Sequence, residues 1–140
     1  MSRYVVDANV VAKWFIPEEY ADMALRLLNE SHELLAPDYV LAELGNILWK
    51  KIMLGDISQA EAQSILPAFR LLSVQLHPIE SRLGQALEMA ANFQRSIYDC
   101  FYLTLAVEYQ CQMITADRKF YNALQSSSLA AHLCWIEDLP

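Results

Sequence analysis

Short apolar runs rich in β-branched residues alternate along this chain with longer segments of helical periodicity, and this alternation restricts the folds open to it. Five runs predict strands: "RYVVD" (3–7), "ELLAP" (33–37), "VQLHPI" (74–79), "QMITAD" (112–117) and "LCWIED" (133–138). Strands that are separated by helices favour a parallel sheet with helices on both faces. We therefore predict an α/β fold with a central, mainly parallel sheet.

The segments between these strands predict helices. Their ranges are 9–16, 18–31, 38–55, 58–72, 81–96, 97–110 and 118–125. Ser58 and Glu61 form the pattern of a capping box, and Pro67 is expected to kink or shorten the helix that they begin. Segment 97–110 is apolar nearly all round, which predicts a helix buried on every side.

Length and composition indicate one domain, 1–140, with a single core. The first residues lack the pattern of a signal peptide, and no apolar run is long enough to span a membrane, so a cytoplasmic protein is expected. Three cysteines, Cys100, Cys111 and Cys134, are widely spaced among apolar neighbours. This arrangement favours reduced core thiols over a disulfide framework or a zinc site.

Four acidic residues stand in apolar surroundings. Asp7 closes the first predicted strand and Asp117 the fourth, so both are expected at the carboxyl edge of a parallel sheet, where ligand crevices form. Glu43 falls on or beside the apolar stripe of its helix, and Asp99 lies in the first turn of the most apolar helix. Buried carboxylates are costly unless they are neutralised, paired or bound to a metal, and an all-oxygen cluster suits Mg²⁺ or Mn²⁺.

Each acid also has a simpler interpretation. Asp7 and Asp117 could cap the helices that follow them, and Asp99 could do the same in competition with Ser96. Glu43 could lie on the surface if the helix face is assigned one residue out. The joint occurrence of the four acids is what favours a site.

Four stretches carrying these acids resemble the PIN-domain ribonucleases of the VapC-like type, the toxins of bacterial toxin–antitoxin pairs. They are "YVVDANVVAKWF", "APDYVLAELGNILWK", "SIYDCFYLTLA" and "MITADRKF", in the order and spacing of that family. The resemblance covers nearly the whole chain. It implies a three-layer α/β/α sandwich, a metal-dependent endoribonuclease, a homodimer held by helices of the first half, and a small antitoxin partner whose tail fills the groove.

The same resemblance implies roles for individual residues. Asp7 and Asp99 would be the chief Mg²⁺ ligands, with Mn²⁺ as the alternative ion, and Glu43 and Asp117 would complete the cluster directly or through water. Further small polar positions that line such sites are Asn9 and Thr115.

The charge balance is unusual for a protein that binds RNA. The net charge is −7, from 17 acidic and 10 basic residues, and such a balance opposes electrostatic steering of nucleic acid. No basic stripe is evident. The local bases that could hold RNA are Lys13, Lys50, Lys51, Arg95, Arg118 and Lys119.

Two other functions compete with this one. An aspartyl-phosphate phosphatase of the haloacid dehalogenase type also begins with an acid after its first strand, but it needs a second Asp two residues later, where this chain has Asn9. A PIN-like module that binds RNA or protein without cutting is the second. Four mutually repelling carboxylates around one pocket argue against such a scaffold.

Overall fold

The computed structural model describes residues 2–140. It contains one five-stranded sheet in the order β3-β2-β1-β4-β5, and all four strand pairs are parallel. The strands are β1 (Ser2–Val6), β2 (His32–Pro37), β3 (Val74–His77), β4 (Gln112–Thr115) and β5 (Leu133–Trp135). The predicted α/β fold is confirmed, and with it all five strands.

Seven α-helices occupy the described residues. They are α1 (Ala8–Ala12), α2 (Ala21–Leu25), α3 (Val40–Met53), α4 (Gln59–Arg70), α5 (Leu83–Phe93), α6 (Ile97–Glu108) and α7 (Arg118–Leu124). From the central strand β1, the chain first adds β2 and then β3 on one side. It then crosses to the other side of β1, where it adds β4 and β5 in the opposite direction. Right-handed crossovers therefore place α1 to α4 on one face and α5 to α7 on the other, which is the three-layer sandwich.

The strand order reverses at β1, and this reversal positions the site. β1 lies at the centre of the sheet, with Val5 and Val6 fully buried between β2 and β4. In a doubly wound sheet the ligand crevice opens at the carboxyl ends of the two strands where the order reverses. Asp7 directly follows β1, and Asp117 follows β4 after one intervening residue.

Helix α6 is buried along most of its length, as its composition predicts. A continuous run from Cys100 to Ala106 is inaccessible to solvent, and the helix packs against β1, β2 and β4. Because α6 cannot shift without disturbing the sheet, the residues in its first turn have a fixed position relative to β1.

The helix predicted over 18–31 is wrong in extent. Only α2 is α-helical there, followed by a 3₁₀ turn at Arg26–Leu28. Tyr20 has a left-handed backbone with φ of 67°, which an α-helix cannot accommodate. Glu18 instead binds two lysines, Lys13 and Lys51, with its carboxylate.

Several predicted boundaries also move. Helix α4 continues through Pro67 to Arg70, so the proline does not shorten it. It removes only one amide donor from the helix. β3 ends before Pro78, and β5 gives way after Trp135 to a 3₁₀ turn.

Among residues 2–140, no helix is long and apolar enough to cross a membrane.

Candidate active site

A cavity of about 470 Å³ opens where the sheet order reverses. Carboxylates from three separate elements line it: Asp7 after β1, Glu43 in α3 and Asp99 in α6. Asn9, in α1, is exposed and lines the same cavity. Four of the residues singled out in the sequence therefore meet at one place.

Asp7 is both the cap of a helix and part of this cavity. Its Oδ1 accepts a hydrogen bond of 2.9 Å from the Val10 amide, which makes it the N-cap of α1. The pKa of Asp7 is raised to about 7, mainly by burial and in part by the negative charges of Asp99 and Glu43, although the Val10 amide opposes the shift. The two interpretations of Asp7 that the sequence left open are thus compatible.

Glu43 is partly buried and faces the cavity, so the surface interpretation of this residue is wrong. The hydroxyl of Tyr102 donates a hydrogen bond of 2.5 Å to Glu43 Oε1. Burial raises the pKa of Glu43, and the charge of Asp99 adds to the effect, while the Tyr102 bond opposes it. Tyr102 is buried, so it holds the carboxylate from within the core.

Asp99 does not cap its helix. Ser96 is the N-cap of α6, and its hydroxyl accepts a hydrogen bond of 3.2 Å from the Asp99 amide. The Asp99 carboxylate therefore remains available to the cavity. Burial raises its pKa and Asp117 contributes, whereas the guanidinium of Arg95 opposes the shift.

Asp117 and Thr115 are not among the residues that line the cavity. Asp117 is exposed and caps α7, accepting a hydrogen bond of 3.1 Å from the Phe120 amide. Thr115 is fully buried, and its hydroxyl accepts a hydrogen bond of 3.0 Å from the Asp117 amide. Thr115 therefore fixes the turn that carries Asp117, and Asp117 stands close enough to Asp99 to influence its pKa.

The rest of the cavity wall was only partly foreseen. Tyr39, Tyr98 and Tyr102 form an aromatic side to it, and α3 adds Asn46 and Lys50. Asn46 and Lys50 follow Glu43 at helical spacing, so the sequence held the signal for these two. The tyrosines were missed because an aromatic residue on an apolar helix indicates core packing before it indicates a site.

The donor chemistry of the cavity fits a hard cation. Three carboxyl groups line it, and their pKa values are raised by burial and mutual repulsion. Among the residues that the structure describes, no three His, Cys, Asp or Glu side chains are arranged to hold one ion together. Mg²⁺ commonly takes one or two carboxylates and keeps several waters, so a less complete protein cage is compatible with it.

The model of the PIN domain family matches residues 4–123. The chain therefore belongs to the PIN-domain family. Within the family, a curated relative is Ribonuclease VapC3 of Pyrobaculum aerophilum, 31% identical over 121 residues, which are 84% of this chain and 91% of that protein. The resemblance to VapC-like proteins that the four motifs indicated is thereby confirmed.

Solved structures share the fold. The structure of PAE2754 from Pyrobaculum aerophilum matches with a TM-score of 0.68 and 23% identity, over 97% of this chain and 92% of that one. A toxin–antitoxin complex from Klebsiella pneumoniae matches with a TM-score of 0.60 and 14% identity, over 97% of this chain and 99% of that one. At these identities the matches support the three-layer architecture alone.

Proposed function

We propose that this protein is a Mg²⁺-dependent endoribonuclease that cleaves RNA phosphodiester bonds in the cytoplasm as the toxin of a toxin–antitoxin pair. The observation that carries the proposal is the meeting of Asp7, Glu43 and Asp99 in one cavity, each with a raised pKa. A divalent cation would favour the charged carboxylates, which burial and mutual repulsion disfavour. The relative named Ribonuclease VapC3 supports the choice of RNA as substrate.

Asp7 and Asp99 would bind the ion, and Glu43 and Asp117 would complete its ligands directly or through water. Mg²⁺ bound there would lower the pKa of a bound water and stabilise the negative charge of a phosphodiester oxygen; Mn²⁺ could replace it. The bond from the Val10 amide fixes the orientation of Asp7, and Tyr102 fixes Glu43. Glu43, which lines the same cavity, would accept the proton of the attacking water.

Two protein partners belong to the proposal. The toxin–antitoxin complex that shares this fold supports a small antitoxin, and a basic antitoxin segment would complement the acidic cavity. A homodimer is supported by exposed apolar side chains at the end of α3, where Trp49, Met53 and Leu54 are 55%, 64% and 76% exposed.

Asn9 remains the argument against an aspartyl-phosphate phosphatase. It lies in the cavity two residues after Asp7, where that chemistry requires a second acid. An amide cannot donate and recover a proton as a carboxyl group does. Asn9 is compatible with a nuclease, in which it would line the substrate cavity.

The test is cleavage of a mixture of purified RNAs, with Mg²⁺ and with EDTA. We expect Asp7→Asn and Asp99→Asn each to lower the rate by roughly 100-fold or more, since each removes a charge from the ion site. Asp56→Asn, which removes an exposed acid outside the cavity, is the control and should cut normally. Metal-independent cutting, or normal cutting by both site variants, would contradict the mechanism, and no cutting of any RNA would favour a module that only binds.

A further inference from the structure

Tyr98 is an exposed aromatic residue on the wall of the carboxylate cavity. Its side chain is 57% exposed, although it stands directly before Asp99 in the first turn of α6. The neighbouring aromatics Phe101 and Tyr102 are only 3% and 2% exposed, as expected for core residues. Packing therefore accounts for those two rings and leaves most of the Tyr98 ring without a partner.

The position of Tyr98 is held by Tyr39. The Tyr39 hydroxyl donates a hydrogen bond of 2.6 Å to the Tyr98 carbonyl, and the two rings meet edge to face, with centroids 5.6 Å apart and planes at 90°. Burial raises the pKa of Tyr39 well above its usual value, so its hydroxyl keeps the proton that it donates. Tyr39 also contacts Phe101 and Tyr102, which anchors this support in the core.

Of the described residues that line this cavity, Lys50 alone has a basic side chain. It lies seven residues after Glu43 on α3, which places it about 10 Å further along the helix axis. Lys50 is exposed and forms no salt bridge within residues 2–140. The cavity therefore combines carboxylates, an open aromatic ring and an uncommitted ammonium group.

We infer that Tyr98 is the stacking platform for one unpaired nucleobase of the RNA, next to the phosphodiester that the proposed ion site would bind, while Lys50 contacts a neighbouring phosphate. This inference rests on the proposed function and specifies its substrate as single-stranded RNA. A base in a duplex is already stacked on both faces, so it cannot use the ring without being unpaired. Stacking on an aromatic side chain tolerates every base, which allows affinity without a basic stripe.

The first experiment measures binding without cleavage. A fluorescein-labelled RNA of 12 nucleotides, single-stranded or paired with its complement, is titrated in EDTA and followed by anisotropy. We expect the wild type to prefer the single strand, Tyr98→Ala to weaken its binding by about 5- to 100-fold, and Tyr98→Phe to restore it, because the ring is kept. Leu87→Ala, which truncates a side chain of similar exposure outside the cavity, should bind as the wild type does.

The second experiment locates the base. An RNA that the wild type cleaves is made with a single abasic nucleotide at each position in turn. At the stacked position the abasic substrate should raise the KM of the wild type but not that of Tyr98→Ala, whereas kcat and the Mg²⁺ dependence should change little. Independent, additive effects of the variant and of every abasic position would overturn the inference.

Equal affinity of the wild type and Tyr98→Ala for the single strand would also overturn it, as would equal affinity of the wild type for the duplex. If Tyr98→Ala does not fold, Tyr98→Leu replaces it, since leucine keeps an apolar side chain without an aromatic face. A wild type that binds single strands through Tyr98 but cuts nothing would contradict the nuclease and leave the stacking site supported.

Discussion

At the scale of single residues, Asp7 has two tasks that oppose each other. Its bond to the Val10 amide stabilises α1, while the cavity that it shares with Glu43 and Asp99 disfavours its charge. The folded protein therefore holds the Asp7 proton more tightly than the unfolded chain does. Without a cation, the ionised form of this carboxylate destabilises the fold.

The stability of the metal-free protein should fall as the pH rises through this range. The pKa of Asp7 is 3.8 in its ordinary state and about 7 in the fold, so between these values the folded state binds the extra proton and stability decreases with pH. Asp7→Asn removes this dependence, and asparagine caps a helix about as well as aspartate. Above pH 7 we expect the variant to be more stable by up to about 4 kcal/mol, which is on the order of ten degrees in Tm.

Thermal unfolding followed by circular dichroism measures this difference in EDTA at pH 4.5 and pH 8. The increase in Tm that Asp7→Asn causes should be small at the lower pH and reach its full size at the higher pH. Adding Mg²⁺ at pH 8 should stabilise the wild type and close the gap. A difference in Tm that is the same at both pH values would show that the ionisation of Asp7 is not its cause; Asp56→Asn is the control for the loss of an acid.

Residues also show where the sequence is sufficient and where it is not. Asp7, Glu43 and Asp99 could be selected because each is an acid in apolar surroundings, and such a carboxylate requires a reason. Tyr98 gave no such signal, since a tyrosine on an apolar helix is ordinary. Only the fold shows that its ring is exposed at the cavity while Phe101 and Tyr102 are buried.

At the scale of elements, a cluster of salt bridges joins two of the helices that position carboxylates of the site, α1 and α3. Glu18 binds Lys13, directly after α1, at 3.2 Å and Lys51 of α3 at 2.7 Å. All three side chains are at most 24% exposed. The cluster therefore fixes the position of α1, which carries Asp7 at its N-cap, relative to α3, which carries Glu43.

Replacing Glu18 should weaken this connection in a manner that depends on pH. Burial alone would raise the pKa of Glu18, but hydrogen bonds from Lys51 and Lys13 hold this pKa below its usual value. A lowered pKa in the fold gives stability that is present above the ordinary value and is lost as the pH falls through the folded one. We expect Glu18→Gln to cost about 1 kcal/mol at pH 7 and almost nothing once Glu18 is protonated in both states.

Urea unfolding at pH 7 and at a series of lower pH values measures how the two free energies converge. Glu19→Gln is the matched control, because Glu19 is the adjacent exposed acid and forms no salt bridge with the described residues. Equal losses in the two variants at pH 7 would mean that the cluster contributes nothing specific.

The elements themselves were largely predictable. Strands such as β1 and β4 are short runs with β-branched residues, which favour buried strands, and α6 is too apolar to be a surface helix. The segment around Tyr20 was misjudged because its acids fit a helix start, whereas Glu18 is used by lysines distant in sequence. Such tertiary pairs override local helical preference and cannot be seen in the sequence of one segment.

At the scale of the whole molecule, an acidic protein that acts on RNA must bind it with few cations. Of the six bases that the sequence offered, Lys13 and Lys51 are paired with Glu18, and the guanidinium of Arg118 lies 3.7 Å from the centre of the Trp135 ring. The guanidinium of Arg95 lies over the Phe120 ring, 5.1 Å from its centre, so Lys50 and Lys119 are left for phosphates. Affinity then has to come mainly from the ion site and from stacking.

The dependence of RNA binding on salt measures how many phosphates are neutralised. For single strands the slope of log K against log salt is about −0.7 for each phosphate contact, so two bases predict a slope of about −1.4. Lys50→Ala should make the slope less steep by about 0.7. Arg70→Ala removes a base that is exposed and outside the cavity, so it should leave the slope unchanged.

The measurement is the anisotropy of a labelled single-stranded RNA in EDTA at KCl concentrations from roughly 50 to 300 mM, where the release of counterions dominates. A slope steeper than about −4 would require a basic surface that this chain does not present alone, and the partner subunit of the proposed homodimer would then have to contribute to RNA binding.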